Sequence, residues 1–332
     1  MADLWKKMRR TATKIGQDVK QDLTYFTPGL AVTHALADLP LRGKAFKPLT
    51  KWIQKQRDKK ILRYLDERYG ELIQSIDKSE QPVFKNAVQG SEPIWVCWLQ
   101  GEENAPPLVK KCLSSIRRNA GSHPVHLLTE ENFSNYVILP LYILEQYKSG
   151  HIKPAHFSDI LRMAVLYQNG GLWLDATIFC AKPIPQWYFE RDFFSCKGPV
   201  RESNYISKYR WTSFVLGGKN GSPFYKLMQS FYFSYWKKEK AAVDYLFMDY
   251  FIELSCYKLP MIRQMIDTLP ENNLQRDDLA ACMNQVFSHQ KWDDLMASDT
   301  VLFKLSWREP WTEETAAKKK SFYGFFLERE FI

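Results

Sequence analysis

Apolar positions early in the chain follow a helical period. Between 51 and 76, Trp52, Ile53, Ile61, Leu62, Leu65, Tyr69, Leu72 and Ile73 fall at roughly three- and four-residue intervals among charged neighbours. That spacing predicts an amphipathic helix with Asp58, Lys59, Lys60, Asp66, Glu67 and Arg68 on its outer face. Further upstream, Lys6, Lys7, Arg9, Arg10, Lys14 and Lys20 surround Leu4, Trp5, Met8, Ile15 and Val19. A helix of that make-up either lies on an anionic membrane with Trp5 at headgroup depth, or is a solvated basic helix packed on its own domain.

The period changes after the turn cluster Gln89-Gly90-Ser91-Glu92-Pro93. IWVCWLQ, bounded by Gly101, reads as a buried strand, LVKKCLSSIRRNA as a helix stopped by Gly121, and PVHLL as a second strand. Strand, helix and strand within about 35 residues form the βαβ unit of a mostly parallel sheet. SDILRMAVLYQN predicts a helix with Ser158 as N-cap and Asp159 in its first turn, ended by Gly170-Gly171. LWLDATIF reads as a third strand, FFSC and TSFVLGG as further strands, and VLFKLSW as a late one. Helices are expected near 222–239, 241–254, 260–268 and 277–287, while KKKSFYGFFLEREFI carries no assignment. The fold class is α/β, with a basic helical extension over 1–90 and the α/β domain over 91–332.

Composition narrows the classes. The 332 residues are 45% hydrophobic and 25% charged, which suits a globular protein and excludes wholesale disorder. No apolar run reaches the ~18 residues that a membrane span needs, and MADLWKKMRR lacks the apolar stretch of a secretory signal. The six cysteines, at 97, 112, 180, 196, 256 and 282, form no C-x-x-C pair and mostly sit in apolar surroundings. They read as buried thiols of a reducing cytosol. The net charge of +9 admits nucleic acid, a membrane or an acidic substrate as partner. No nucleic-acid-binding motif occurs. The excess lies in the N-terminal extension and the C-terminal KKK segment, which favours anchoring at anionic lipid.

The chain has no G-x-G-x-x-G, phosphate loop, G-x-S-x-G or H-E-x-x-H. His123/His126 and His151/His156 are its close histidine pairs, and no carboxylate nearby completes a metal triad. The chemistry concentrates in HFSDILR and QNGGLWLDAT. Asp159 and Arg162, three apart, share one helix face. Asp175 falls where the strand ends, the edge at which open α/β sheets bind ligands. Two acids and an arginine suit a polyhydroxy ligand carrying a diphosphate. The alternative is an internal Asp159–Arg162 pair with Asp175 as a helix cap.

SDILRMAVLYQNGGLWLDAT resembles the signature of the capsular polysaccharide synthesis glycosyltransferases. These are relatives of the glycosyltransferases with the DxD sugar-binding motif, a clan that includes the clostridial glucosylating toxins and the yeast initiating mannosyltransferase. IWVCWLQGEENAPPLVKKCLSSIRRN, LPLYILEQYKSGHIKPAHFSDILR, MDYFIEL and VLFKLSW resemble further family segments in the same order, so the likeness covers roughly 92–310. It implies a GT-A type, Rossmann-like fold. It also implies transfer, with retention, of a hexose-type sugar from a nucleotide-sugar donor, UDP-linked by preference. The acceptor would be a glycan or lipid-linked glycan in capsule or other surface polysaccharide synthesis. The setting would be bacterial and cytoplasmic, peripheral on the inner face of the membrane.

By the same resemblance, Trp98 stacks on the base and the Gln100-Gly101 loop contacts the nucleotide. Asp159 and Arg162 hold sugar hydroxyls, with Arg162 reaching the phosphate. Gly170, Gly171 and Thr177 belong to the donor site, Asp175 is the first acid of the DxD, and Ser306, Trp307 and Arg308 close over the diphosphate. Apart from the resemblance, Asp249, within MDYF on an expected helix, is the acid to test for an acceptor-side role, the alternative being a solvent-facing or helix-pairing Asp. Thr177 departs from the clan, which carries a metal-binding Asp there, and a hydroxyl is a poorer ligand for Mn²⁺ or Mg²⁺. Either Asp175 and waters hold a metal weakly, or Lys304 and Arg308 take its place. A toxin-like protein glycosyltransferase and a degenerate carbohydrate-binding member are the alternatives.

Overall fold

The computed structural model describes residues 13, 16, 19–37, 39, 46–76 and 91–329. The basic segment around Trp5, the Gln89-Gly90 turn and the last three residues lie outside them, so the membrane-helix expectation falls largely outside the described residues.

The βαβ unit forms as expected. β1 (Ile94–Cys97) runs into α3 (Pro107–Asn119), whose proline start suits a first helical turn that has no amide to satisfy. The chain returns as β2 (Val125–Leu128), parallel to β1 with Ile94 opposite Val125. After α4 (Leu141–Lys148) and α5 (Pro154–Asn169), β3 (Gly171–Leu174) adds parallel on the other side of β1. β6 (Val215–Gly218) and β5 (Phe194–Ser195) then join antiparallel, giving the order β2-β1-β3-β6-β5. The sheet is therefore parallel in its core and antiparallel at one side.

Several boundaries differ from the sequence expectation. Pro154 starts α5 one turn early with Lys153 as N-cap, so Ser158 caps nothing and Asp159 lies deeper in the helix. LWLDATIF is two strands: after Leu174 the chain turns through Asp175–Thr177, and β4 (Ile178–Cys180) leaves the main sheet. β4 pairs antiparallel with the late strand β7 (Leu302–Lys304), Ile178 facing Lys304. The helix expected over 241–254 is α7 (Phe247–Lys258), because 241–246 is irregular; α6 (Pro223–Lys238) and α8 (Pro260–Asp267) fall close to expectation. Only α9 (Asp278–Cys282) forms of the helix expected over 277–287, while α10 (His289–Ala297) and α11 (Phe322–Glu328) arise where no element was assigned.

Gly170 and Gly171 both adopt positive φ, 70° and 97°. A β-carbon on Gly171 would meet the Pro93 carbonyl oxygen at 2.1 Å, so the close approach of β3 to the entry of β1 requires glycine there.

In the extension, α2 (Lys47–Ile76) buries Ile61, Leu65, Tyr69 and Ile73, and α1 (Pro28–Ala37) packs on it. Trp52, expected on the buried stripe, is exposed instead. The charged face is only partly solvated: Tyr250 of α7 donates to Asp58 at 2.7 Å, and Lys258 pairs with Asp66 at 2.6 Å. Tyr64 and Tyr69 both donate to the buried Glu239, at 2.7 and 3.2 Å. The extension is thereby bonded along α6 and α7. No helix among the described residues is long and apolar enough to cross a membrane.

Candidate functional site

The break after β3 opens a cleft of about 380 Å³ at the carboxyl ends of β1 and β3. Trp173 and Asp175 to Thr177 line it at the break itself, and four further stretches meet them there. Cys97 and Trp98 come from the end of β1, and Ser158, Asp159 and Arg162 from the early turns of α5. Tyr245, Leu246, Met248 and Asp249 come from the entry into α7, and Lys304 to Arg308 from the end of β7.

A charge lattice organises the cleft. Arg162 donates through Nη1 to Asp159 Oδ1 at 2.8 Å and through Nη2 to Asp175 Oδ1 at 3.0 Å. Its guanidinium lies 4.9 Å from the Trp173 ring centroid, and Trp173 Nε1 donates to the same Asp175 oxygen at 3.1 Å. Lys304 Nζ donates to Asp175 Oδ2 at 3.0 Å and to Thr177 Oγ1 at 2.8 Å. Burial alone would raise the Asp175 carboxyl. The attraction of Lys304 and Arg162 outweighs it and holds the group below the ordinary carboxylate range. Burial also opposes the charge on Arg162, and Asp159 and Asp175 reverse that, leaving its pKa raised. Of the internal-pair alternative, the Asp159–Arg162 contact is present, but Asp175 joins that pair and caps no helix.

Asp249 differs. It is 8% exposed and accepts from Trp211 Nε1 at 2.8 Å. Burial pushes its carboxyl up to about 6; the Trp211 bond offsets part of this and the Asp159 charge adds to it.

At the mouth, Trp98 and Trp307 meet edge to face with ring centroids 5.7 Å apart, and Arg308 covers the Trp307 ring at 5.1 Å. Trp307 is 45% exposed, which leaves ring surface open to a planar ligand. The Ser306 hydroxyl accepts from the Arg308 amide at 3.3 Å.

The cleft thus gathers Trp98, Asp159, Arg162, Asp175, Thr177, Asp249, Lys304, Ser306, Trp307 and Arg308. Gln100 and Gly101 form the turn just beyond β1 but do not line it; the Gln100 carbonyl accepts from Asn104 Nδ2 at 2.8 Å. Gly170 and Gly171 are a correction to the donor-site expectation. They sit at the opposite end of β3, where their task is backbone geometry. Trp173 and Trp211, which hold the two acids, were missed. Trp173 stands two residues before Asp175, a spacing that places strand side chains on one face. Trp211 lies 38 residues from its partner and leaves no local signal.

The donor set does not suit a divalent metal. Both Asp175 oxygens accept from cationic donors, and the Thr177 hydroxyl accepts from the Lys304 ammonium. A metal between Asp175 and Thr177 would compete with that ammonium for the same oxygens. Among the described residues no group of three or more His, Cys, Asp or Glu gathers to hold an ion. His123 is occupied elsewhere, its Nδ1 2.8 Å from the Glu92 carbonyl oxygen and its ring stacked on Phe189.

Sheet and cleft define an α/β protein with a polar, charge-lined cleft at the carboxyl edge of its parallel strands. Residues 43–326 match the model of the capsular polysaccharide synthesis protein family, and the chain belongs to that family. It is 26% identical over 176 residues to "O-glycosyltransferase braB" of Annulohypoxylon truncatum, covering 49% of this chain and 40% of that protein. It is also 26% identical over 123 residues to "O-glycosyltransferase PaGT" of Phomopsis amygdali, covering 34% and 29%. The chain therefore spans well under half the length of these fungal relatives. No solved structure matches it.

Proposed function

We propose that the chain is a glycosyltransferase of GT-A type that moves a hexose-type sugar from a nucleoside-diphosphate donor, UDP-linked by family resemblance, to an acceptor hydroxyl. The observation that carries this reading is Lys304, bonded to both Asp175 and Thr177 in a cleft where Arg162 joins Asp175 to Asp159. The names of the two relatives support transfer to oxygen.

In this reading Trp98 and Trp307 take the base, Asp159 and Arg162 the sugar hydroxyls, and Lys304 with Arg308 the diphosphate. As the anomeric C–O bond breaks, the diphosphate leaves with the electron pair, and fixed cations stabilise the charge that develops. Ammonium and guanidinium groups thus do what the clan assigns to a metal. Asp159 and Asp175 commit oxygens to Arg162 and Lys304, which makes either a poor nucleophile. A front-side displacement follows: the acceptor O–C bond forms on the face the diphosphate leaves, and the diphosphate oxygen takes the acceptor proton, with retention.

The acceptor is proposed to be a surface glycan, reached at an anionic membrane. Exposed Leu49 and Trp52, beside exposed Lys47, Lys51 and Lys55, support that placement.

The deciding experiment incubates the protein with UDP-, GDP- and CMP-sugars, with and without EDTA, and measures nucleotide release and thermal shift. Release from one donor that survives EDTA is expected. Release that vanishes in EDTA and returns with Mn²⁺ would remove the ammonium role. Binding without release would make the chain a carbohydrate-binding member instead.

A further inference from the structure

A second hollow, of about 410 Å³, opens beside the cleft. Tyr245 lines both. His156, in the first turn of α5, stands on the boundary, its ring centroid 5.9 Å from that of Tyr245 and its Nδ1 3.7 Å from Asp159 Oδ2. That nitrogen is buried and has no hydrogen-bond partner among the described residues.

The outer wall comes from the extension. Tyr25 and His34 face the hollow from the helical segment at 19–37, and Arg57 from α2. The wall is held rigidly: His34 Nδ1 lies 2.7 Å from Asp22 Oδ2, and Arg57 donates to Asp244 Oδ2. Asp22 and Asp244 are both nearly fully buried. Asp244 also accepts from the Leu246 amide at 2.8 Å, which shapes the very segment that supplies Tyr245, Leu246 and Asp249 to the cleft. The extension therefore fixes the partition between the two hollows.

We propose that this second hollow is the acceptor site and that it takes a polyhydroxylated glycan; this rests on the glycosyltransferase reading above. A transfer enzyme needs its two substrates in adjoining spaces with the reacting atoms in reach. Here one layer of side chains divides a cleft suited to a sugar diphosphate from a cavity of similar size. Its chemistry is that of a sugar site. The exposed Tyr25 and Tyr245 rings offer flat faces, while the exposed Lys153, Lys240 and Gln21 offer polar groups for hydroxyls. A purely apolar acceptor would desolvate those charges without compensation. The family match adds an independent line. Every cleft residue falls within 43–326, whereas Tyr25 and His34 precede that range. Donor chemistry is then common to the family, and acceptor choice is set in part by side chains that precede the matched region.

In the step itself the glycan hydroxyl enters past His156 and Tyr245. Its oxygen bonds to the anomeric carbon, the carbon–diphosphate bond breaks, and the diphosphate carries away both the electron pair and the proton.

The test uses the full chain, the UDP-sugar it hydrolyses fastest, and a panel of p-nitrophenyl glycosides as acceptors. At least one glycoside is expected to accept sugar. Tyr25→Ala, at an exposed rim position, should raise the KM for that glycoside about tenfold while the KM for the donor moves by less than about twofold. Tyr25→Phe should restore the lower value, since the ring face is what binds. His156→Ala should lower transfer relative to hydrolysis of the same donor. Failure of every glycoside to accept sugar, or an unchanged glycoside KM in Tyr25→Ala, overturns the assignment. A chain that releases nucleotide from no donor brings down the glycosyltransferase reading first, and this one with it.

Discussion

The charged cleft and the hollow beside it are built from different materials. In the cleft, half of the charged side chains, Asp159, Arg162 and Asp175, come from one short stretch and form a lattice with Lys304 around an open space. In the hollow, the charges are already matched across the chain: Arg57 reaches Asp244 over 187 residues, and His34 is paired with Asp22. The first arrangement stores electrostatic potential for a guest, whereas the second spends it on holding a wall in place. A buried charge pair of the second kind is costly to break from one side, because the abandoned partner keeps its desolvation penalty.

That contrast can be broken by substitution. The largest effect is expected in the cleft. Lys304→Ala should lower nucleotide release by about 10²–10³, the size seen when one fixed donor to a developing anion is lost. Melting temperature should barely move, and a drop in release smaller than about threefold would place the diphosphate elsewhere. Arg57→Ala should do the reverse. It strands Asp244 and should cost about 3 kcal/mol of stability, read by denaturant melts, while donor affinity changes little. Equal damage to donor affinity would mean that the two hollows are one site.

Asp249 supplies a pH test. Its carboxyl titrates near 6 in the folded protein against an ordinary 3.8, so the folded state holds the proton more tightly than the unfolded chain. Stability contributed by that group is therefore highest below pH 4, falls between about 4 and 6, and stays low above. Asp249→Asn removes the dependence, and above pH 6 the variant should be more stable by about 2–3 kcal/mol. A constant difference across that range would refute the burial argument. The smallest effect belongs to the surface: Lys47→Ala and Lys55→Ala should each weaken binding to phosphatidylserine vesicles by about 1 kcal/mol in flotation assays.

How much was legible in the sequence follows the same division. Asp159, Arg162 and Asp175 announced themselves because helix and strand periods place them at one edge of the sheet. Lys304 was readable only through the family pattern, and its bond to Thr177 crosses 127 residues. Trp52 was misplaced because period marks the direction of a buried stripe and not its width: Ile53 beside it is buried while Trp52 lies outside the stripe. The early start of α5 was hidden behind a serine and aspartate that resemble a cap, although Pro154 was the stronger signal. Nothing local marked the second hollow, since its walls come from four segments distant in the chain and only His156 touches a motif.

The pairing of β4 with β7 has a consequence for the order in which the molecule becomes competent. Asp175 and Thr177 are synthesised well over a hundred residues before the strand that carries Lys304. Until that strand docks, the acid at the end of β3 has Arg162 but not its second counter-charge. A ribosome-bound chain, or one truncated before 302, would hold most of the core and still lack the cation between its motif residues. The full set of charges in the cleft therefore arrives late, once the strand that carries Lys304 has docked.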